Sequence, residues 1–204
     1  DYKENEDLEP KSIEKCMNRK YWPKWKDEIN KELNSLTQRK VFGPVVRTPN
    51  GVRPVEHKWV FVRKRNEKNE VVRYKAILVA QGFTQRPEID YEETYSPVVD
   101  AITFSYFISL TIYAKLEMCL MDVFTAYLYG SLQNDIYMKI PEGFKVPEAQ
   151  TSNSREVYLV KLNKSLYRLK QSGRMCFNCF STFLLKECYK NDPLSPCVFI
   201  KRSI

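Results

Sequence analysis

Between Trp25 and Leu36 the apolar positions fall at helical spacing. Trp25, Ile29, Leu33 and Leu36 are separated by four, four and three residues, which places them on one stripe of a helix beginning near Pro23. The period then changes. Gly43-Pro44 and Pro49-Asn50-Gly51 mark a loop-rich stretch. Beyond it, Lys58 to Arg65 and Val71 to Ala80 read as strands separated by Asn66-Glu67-Lys68-Asn69, the pattern of a β-hairpin. Alternation puts Val72, Tyr74, Ala76, Leu78 and Ala80 on one side of the second strand. Arg73, Lys75 and Ile77 take the other side.

Gly82 to Ser96 reads as a loop. Ser96-Pro97 predicts an N-cap with proline at the first helical position, opening a helix towards Lys115 that is apolar enough to lie under a sheet. Met118 to Val123 predicts a short buried strand, followed by a short helix through Leu132. Strands are expected at Ile136 to Ile140 and Val157 to Leu162, with a polar loop at Pro147 to Arg155 between them. A last helix spans Leu169 to Tyr189, and Cys197 to Lys201 starts another strand. Residues 1–20 are polar and expected to be loose. The pattern predicts an α+β fold with helices packed on a largely antiparallel sheet.

Composition sharpens this. A hydrophobic content of 43% and an aromatic content of 13% argue against wholesale disorder. The net charge of +8 suggests a polyanionic partner. From Lys58 to Lys75 there are seven Lys or Arg against two Glu, so the hairpin has a basic face suited to phosphates. A merely solvated strand face is the competing reading. Asp1 to Pro10 is acidic and polar, unlike a signal peptide, and no apolar run reaches the ~18 residues of a membrane span. An intracellular protein, cytoplasmic or nuclear, is expected, with its six cysteines as thiols. Cys176 and Cys179 lie in a helical apolar pattern, which favours packed thiols over a zinc site with Cys188 and Cys197. His57 reads as a surface residue at a strand start.

Asp122 stands out because it follows the apolar run Met118 to Met121. A charge at the tip of a buried strand is costly unless it is paired or holds a metal. Mg²⁺ is typically held by one or two carboxylates plus phosphate oxygens. The alternative is an Asp capping the next helix.

Several short motifs then fall in order. They are Lys58-Trp59-Val60-Phe61, Arg73-Tyr74-Lys75-Ala76, Leu78-Val79-Ala80-Gln81-Gly82-Phe83 and Ile89-Asp90-Tyr91-Glu92-Glu93-Thr94-Tyr95-Ser96-Pro97-Val98. Met121-Asp122-Val123, Ile136-Tyr137-Met138, Pro141-Glu142-Gly143-Phe144, Ser165-Leu166-Tyr167 and Leu169-Lys170-Gln171 follow. Together they resemble the reverse transcriptase domain of copia-type retrotransposon polyproteins, and Trp22 to Arg47 resembles the lead-in to that domain. The resemblance implies right-hand polymerase fingers and a partial palm over residues 57–204, preceded by a helix and lead-in loop at 21–56. It implies two-metal nucleotidyl transfer with Mg²⁺ on an RNA or DNA template-primer and deoxynucleotide triphosphates. Asp122 would be the first metal-binding carboxylate, with the carbonyl of Val123 beside it. Lys75, Thr125, Ala126, Tyr127 and Lys170 would surround the nucleotide, the Tyr127 ring disfavouring a 2′ hydroxyl. Lys58, Arg63, Lys64, Arg65 and Arg73 would bind nucleic acid.

The departures from that pattern are specific. Ile77 stands where the family usually has Arg, interrupting the basic row. Arg168 replaces a glycine between the Leu-Tyr and Leu-Lys-Gln pieces, and Glu88 replaces another. If the glycine at position 168 has positive φ or a close backbone approach, Arg cannot easily substitute for it. Ser105 stands where Arg is common, and Cys176 where an aromatic is common. The second metal motif, aromatic-x-Asp-Asp, does not occur before Ile204. Asp90, Asp100 and Asp135 are not expected to replace it. The chain by itself is therefore expected to be inactive unless the rest of a polyprotein follows. The alternatives are a non-catalytic nucleic-acid-binding module using the basic hairpin with Trp59 and Phe61, or a degenerate remnant without function.

Overall fold

The computed structural model of the chain describes residues 8–146 and 157–202. The predicted polar loop Pro147 to Arg155 lies outside the described residues. Inside the stretch expected to be loose is a short helix, α1 (Ile13–Met17). Ser12 caps it by accepting from the Lys15 N–H, and Ile13 and Cys16 reach the core. Burial pushes the Cys16 thiol up to about 11.

The predicted stripe forms the inner face of α2 (Trp22–Gln38), and Trp25, Ile29, Leu33 and Leu36 are all buried. They meet the predicted hairpin, β2 (His57–Arg65) and β3 (Val71–Ala80), which pair antiparallel. The Trp25 ring stands edge-on to Phe61 at 5.3 Å and to Tyr74 at 4.7 Å. Burying an aliphatic or aromatic side chain of this kind contributes about 1.5–3 kcal/mol, so the stripe is the main adhesive between helix and hairpin.

A second sheet completes the core. β1 (Phe42–Arg47) pairs with β5 (Tyr158–Lys164), which pairs with β4 (Ser131–Lys139), all antiparallel. The loop expected around Gly43-Pro44 is thus a strand. It lies at the sheet edge, and its register shifts between Phe42 and Val45. An edge position with a bulge spares the N–H that Pro44 lacks. Val55 bridges to Met138 of β4 and joins this sheet to the start of the hairpin. Ile136, Met138, Val160 and Leu162 share one hydrophobic cluster with Trp25, Phe61 and Leu78.

Further expectations are corrected in the C-terminal half. α3 (Ala101–Tyr113) starts after Asp100 instead of Ser96. The Asp100 carboxylate accepts from the Ile102 and Thr103 N–H groups, both at 2.9 Å, and from the Thr103 hydroxyl at 2.6 Å. Those bonds hold its carboxyl below the ordinary value. No residue of α3 is buried, so it does not lie under a sheet here. Met118 to Val123 is not a strand, and Leu120 and Met121 are 98% and 84% exposed. An apolar run becomes a buried strand only beside a partner, and no described strand flanks this one. The short helix expected to run through Leu132 is only a 3-10 turn at Ala126–Leu128. α4 (Ser172–Lys186), β6 (Lys190–Asn191) and β7 (Phe199–Ile200) close the fold.

The fold is mixed, with antiparallel sheets and four α-helices among the described residues. No described helix is long and apolar enough to cross a membrane. All six cysteines are free thiols. His57 is not the surface residue expected: its side chain is 10% exposed and lies 3.1 Å from a Glu142 carboxylate oxygen.

Candidate functional site

Strand alternation and register decide what each face of the hairpin offers. The pairs Trp59 with Leu78 and Phe61 with Ala76 turn inward to α2. The pairs Lys58 with Val79, Val60 with Ile77, Val62 with Lys75 and Lys64 with Arg73 turn outward. The outer face therefore alternates cations with apolar side chains. Lys58, Lys64, Arg73 and Lys75 share it, and Ile77 interrupts their row as the sequence implied. Arg63 pairs with Tyr74 in the inward register, and its N–H donates to Glu9. The Arg65 guanidinium donates to the Asn69 carbonyl and braces the hairpin turn.

The loop 165–171 packs against the end of this hairpin. The Ala80 N–H donates to the Tyr167 carbonyl at 2.9 Å. A Cβ on Gly82 would stand 2.1 Å from the Arg168 carbonyl oxygen, so only glycine lets the two loops approach so closely. Arg168 has φ +68° and Glu88 has φ +64°, the left-handed backbone suited to the glycines they replace. A buried polar network holds the loops together. The Gln85 side-chain amide donates to the Gln171 side-chain oxygen at 3.1 Å, and the Gln85 oxygen accepts from the Lys170 N–H at 2.8 Å. Gln171 in turn donates to the Asp90 carbonyl. The Ser165 hydroxyl donates to Ser172, which donates to the Leu166 carbonyl.

This packing leaves two adjoining clefts that share Val79, Arg168 and Leu169. The first, about 670 Å³, adds Lys58, Phe83 and Lys170. The second, about 510 Å³, adds Lys75, Ile77 and Tyr127. The residues expected around a nucleotide are thus divided, Lys75 and Tyr127 in one cleft and Lys170 in the other. The Tyr127 ring stands edge-on to Tyr167 at 6.2 Å. Thr125 takes φ +56° and accepts from the Arg39 guanidinium at 3.0 Å, while Ala126 opens the 3-10 turn that carries Tyr127.

Glu32 and Arg39 escaped the sequence reading. Glu32 of α2 accepts from the Leu78 N–H at 3.3 Å, beside the second cleft's Lys75 and Tyr167. Burial raises its pKa above the usual carboxylate value, against the pull of Lys75 and Arg39. Burial likewise raises the Tyr167 phenol, reinforced by Glu32. Gln85, Gln171 and Ser172 also carry the site. Their bonds join segments far apart in the chain, and no local pattern announces such pairs.

Asp122 and Val123 are exposed and line neither cleft. Asp90, Asp100 and Asp135 have structural partners: the Asp90 carboxylate accepts from the Arg86 N–H, Asp100 caps α3, and Asp135 pairs with Lys161 at 2.6 Å. Among the described residues no group of three or more His, Cys, Asp or Glu could hold a metal ion. A lone, solvated carboxylate does not fit a two-metal centre.

The reverse transcriptase (RNA-dependent DNA polymerase) family matches residues 40–203. The retrovirus-related Pol polyprotein from transposon TNT 1-94 of Nicotiana tabacum is 36% identical over 97% of the chain, which spans 14% of that polyprotein. The Pol polyprotein from transposon RE1 of Arabidopsis thaliana is 32% identical over 87% of the chain and 12% of its own length. The Ty1-ER2 Gag-Pol polyprotein of Saccharomyces cerevisiae is 26% identical over 72% of the chain and 8% of its own length. No solved structure matches. With its family match covering most of its length, the chain belongs to the reverse transcriptase (RNA-dependent DNA polymerase) family.

Proposed function

We propose that this segment is the template- and nucleotide-holding part of an RNA-dependent DNA polymerase of a retrotransposon Pol polyprotein. Residues 57–204 would form the fingers and the first part of the palm, with 21–56 as the lead-in. The observation that supports the reading is the convergence of the hairpin's cationic outer face and the loop 165–171 on two joined clefts. Lys58, Lys64, Arg73 and Lys75 neutralise phosphates, which positions a polynucleotide and makes its binding fall steeply with salt. Lys75 and Tyr127 share one cleft, so a triphosphate on Lys75 would set its sugar near the Tyr127 ring. A ring there excludes the volume of a 2′ hydroxyl. In this family metal ions supply charge neutralisation and activate the attacking oxygen. The acids described here do not form that centre, and Asp122 contributes one carboxylate at most.

The lone position of Asp122 favours a second reading, a nucleic-acid-binding module without catalysis. Primer extension with Mg²⁺ separates the two. The chain alone is expected to show no incorporation, while template-primer binding weakens in Lys58→Ala and Lys75→Ala. Incorporation that disappears in Asp122→Asn would show catalysis by the segment itself. Absent or salt-insensitive binding would sink both readings.

A further inference from the structure

Thr125 holds a backbone conformation that a β-branched residue adopts only under constraint. Its φ is +56° and its ψ +34°, in the left-handed region. Such a conformation persists where the surroundings over-determine it. Here the Arg39 Nε donates to the Thr125 hydroxyl oxygen at 3.0 Å, and that hydroxyl donates to the Phe124 carbonyl at 2.7 Å. Thr125 is also the first residue of the turn that carries Tyr127. The Leu128 N–H closes the turn on the Thr125 carbonyl at 2.9 Å, and the Leu128 side chain is buried in the core. Tyr127 lies between the two anchors, 45% exposed, with its ring edge-on to Tyr167. The core fixes one end of the turn, and Arg39 fixes the other.

Arg39 is itself held still. It caps the C-terminus of α2, and its N–H donates to the Ser35 carbonyl at 3.1 Å. Its Nη1 donates to the Ser35 hydroxyl at 2.9 Å. Glu32, seven residues earlier on the same helix, and Tyr167 both lie within reach of its charge. A planar guanidinium pinned at two of its nitrogens keeps little rotamer freedom, so the bond ties Thr125 to a packed helix.

We propose that Arg39 is a positioning residue for sugar selection, fixing through Thr125 the place at which the Tyr127 ring enters the second cleft. The proposal rests on the nucleotide-holding reading above and adds the group outside the cleft that sets the ring. Arg39 does not line that cleft, so it acts through the turn and not on a ligand. The two sugars differ by one oxygen atom. A ring rejects that atom only if it cannot retreat from it. Without the guanidinium, Thr125 is free to leave the left-handed region, and the turn re-aims Tyr127.

The test compares the dissociation constants of the chain for dATP and ATP, each with Mg²⁺, by ligand-detected NMR. dATP is expected to bind about tenfold more tightly, the scale on which a close-fitting pocket rejects one small added group. Tyr127→Ala brings the two affinities together. Arg39→Ala and Thr125→Val each cut the preference to about twofold by improving ATP binding, while dATP stays held by Lys75. The double variant loses no more than either single one, because both cut the same bond. Arg39→Lys keeps a donor but cannot span Ser35 and Thr125, and falls between. Equal weakening of both nucleotides with the preference intact would overturn the proposal. An unchanged preference in Arg39→Ala beside a lost one in Tyr127→Ala would also overturn it, and the nucleotide-holding reading would stand. An unmodified chain that binds neither nucleotide, or a preference that survives Tyr127→Ala, overturns both. Thermal melts confirm folding, and Thr125→Val, close in shape, reads the same bond should Arg39→Ala fail to fold.

Discussion

The Arg168 carbonyl oxygen lies 2.1 Å from where a Cβ on Gly82 would be placed. Two loops more than eighty residues apart in sequence thus meet backbone to backbone, between the clefts that hold the candidate ligand contacts. Backbone cannot swing aside as a long side chain can. Gly82→Ala is expected to lower stability by about 1–3 kcal/mol, the usual cost of overpacking a tight site. Chemical denaturation measures it, and an unchanged midpoint would show that the loops separate easily.

Arg168 and Glu88 both sit in the left-handed region, where a Cβ is crowded by the backbone. Arg168→Gly and Glu88→Gly are each expected to raise stability by about 1 kcal/mol, net of the entropy glycine loses on folding. A lower denaturation midpoint in either variant would mean that the replaced side chain contributes contacts exceeding its strain.

Glu32 makes stability depend on pH in a definite direction. Burial raises its folded-state pKa, so the native state binds the proton more tightly than the unfolded chain. Stability then falls as pH rises from the ordinary Glu value, about 4.3, through the raised value. Glu32→Gln keeps an acceptor for the Leu78 N–H and removes the buried charge. It is expected to melt higher than the unmodified chain at neutral pH, with the difference vanishing below the ordinary Glu value. A variant that melts lower at neutral pH would show that Lys75 and Arg39 more than offset the burial.

Asp122 is exposed and carries no fold contact described here. Asp122→Asn should therefore change stability by less than about 0.5 kcal/mol, as surface substitutions usually do. Thermal melting checks this, and a larger loss would place Asp122 in a contact that supports the fold.

What the sequence disclosed followed the reach of each interaction. The stripe from Trp25 to Leu36 was legible because helical spacing is local, and the faces of the hairpin were legible because alternation is local. The strain at Arg168 was foreseeable from a single position, whereas that at Glu88 came from the backbone alone. β1 was missed because Gly43-Pro44 reads as a breaker, and only its edge position in the sheet removes the penalty. Met118 to Val123 was read as buried because apolar residues usually are, but burial needs a neighbour that no local pattern supplies. The grouping of Lys75, Tyr127 and Arg168 around one cleft likewise depends on how distant segments pack.

The helix α2 ends at Gln38, and the family match begins at residue 40. Yet α2 covers Phe61 and Leu78, and its Glu32 satisfies a backbone N–H of β3. An isolated two-stranded hairpin is marginal in water. A boundary drawn from sequence likeness is therefore not a boundary of folding in this chain. Cutting at residue 40 would strip the hairpin of its apolar cover and leave the cationic face on a ribbon with nothing to hold it flat.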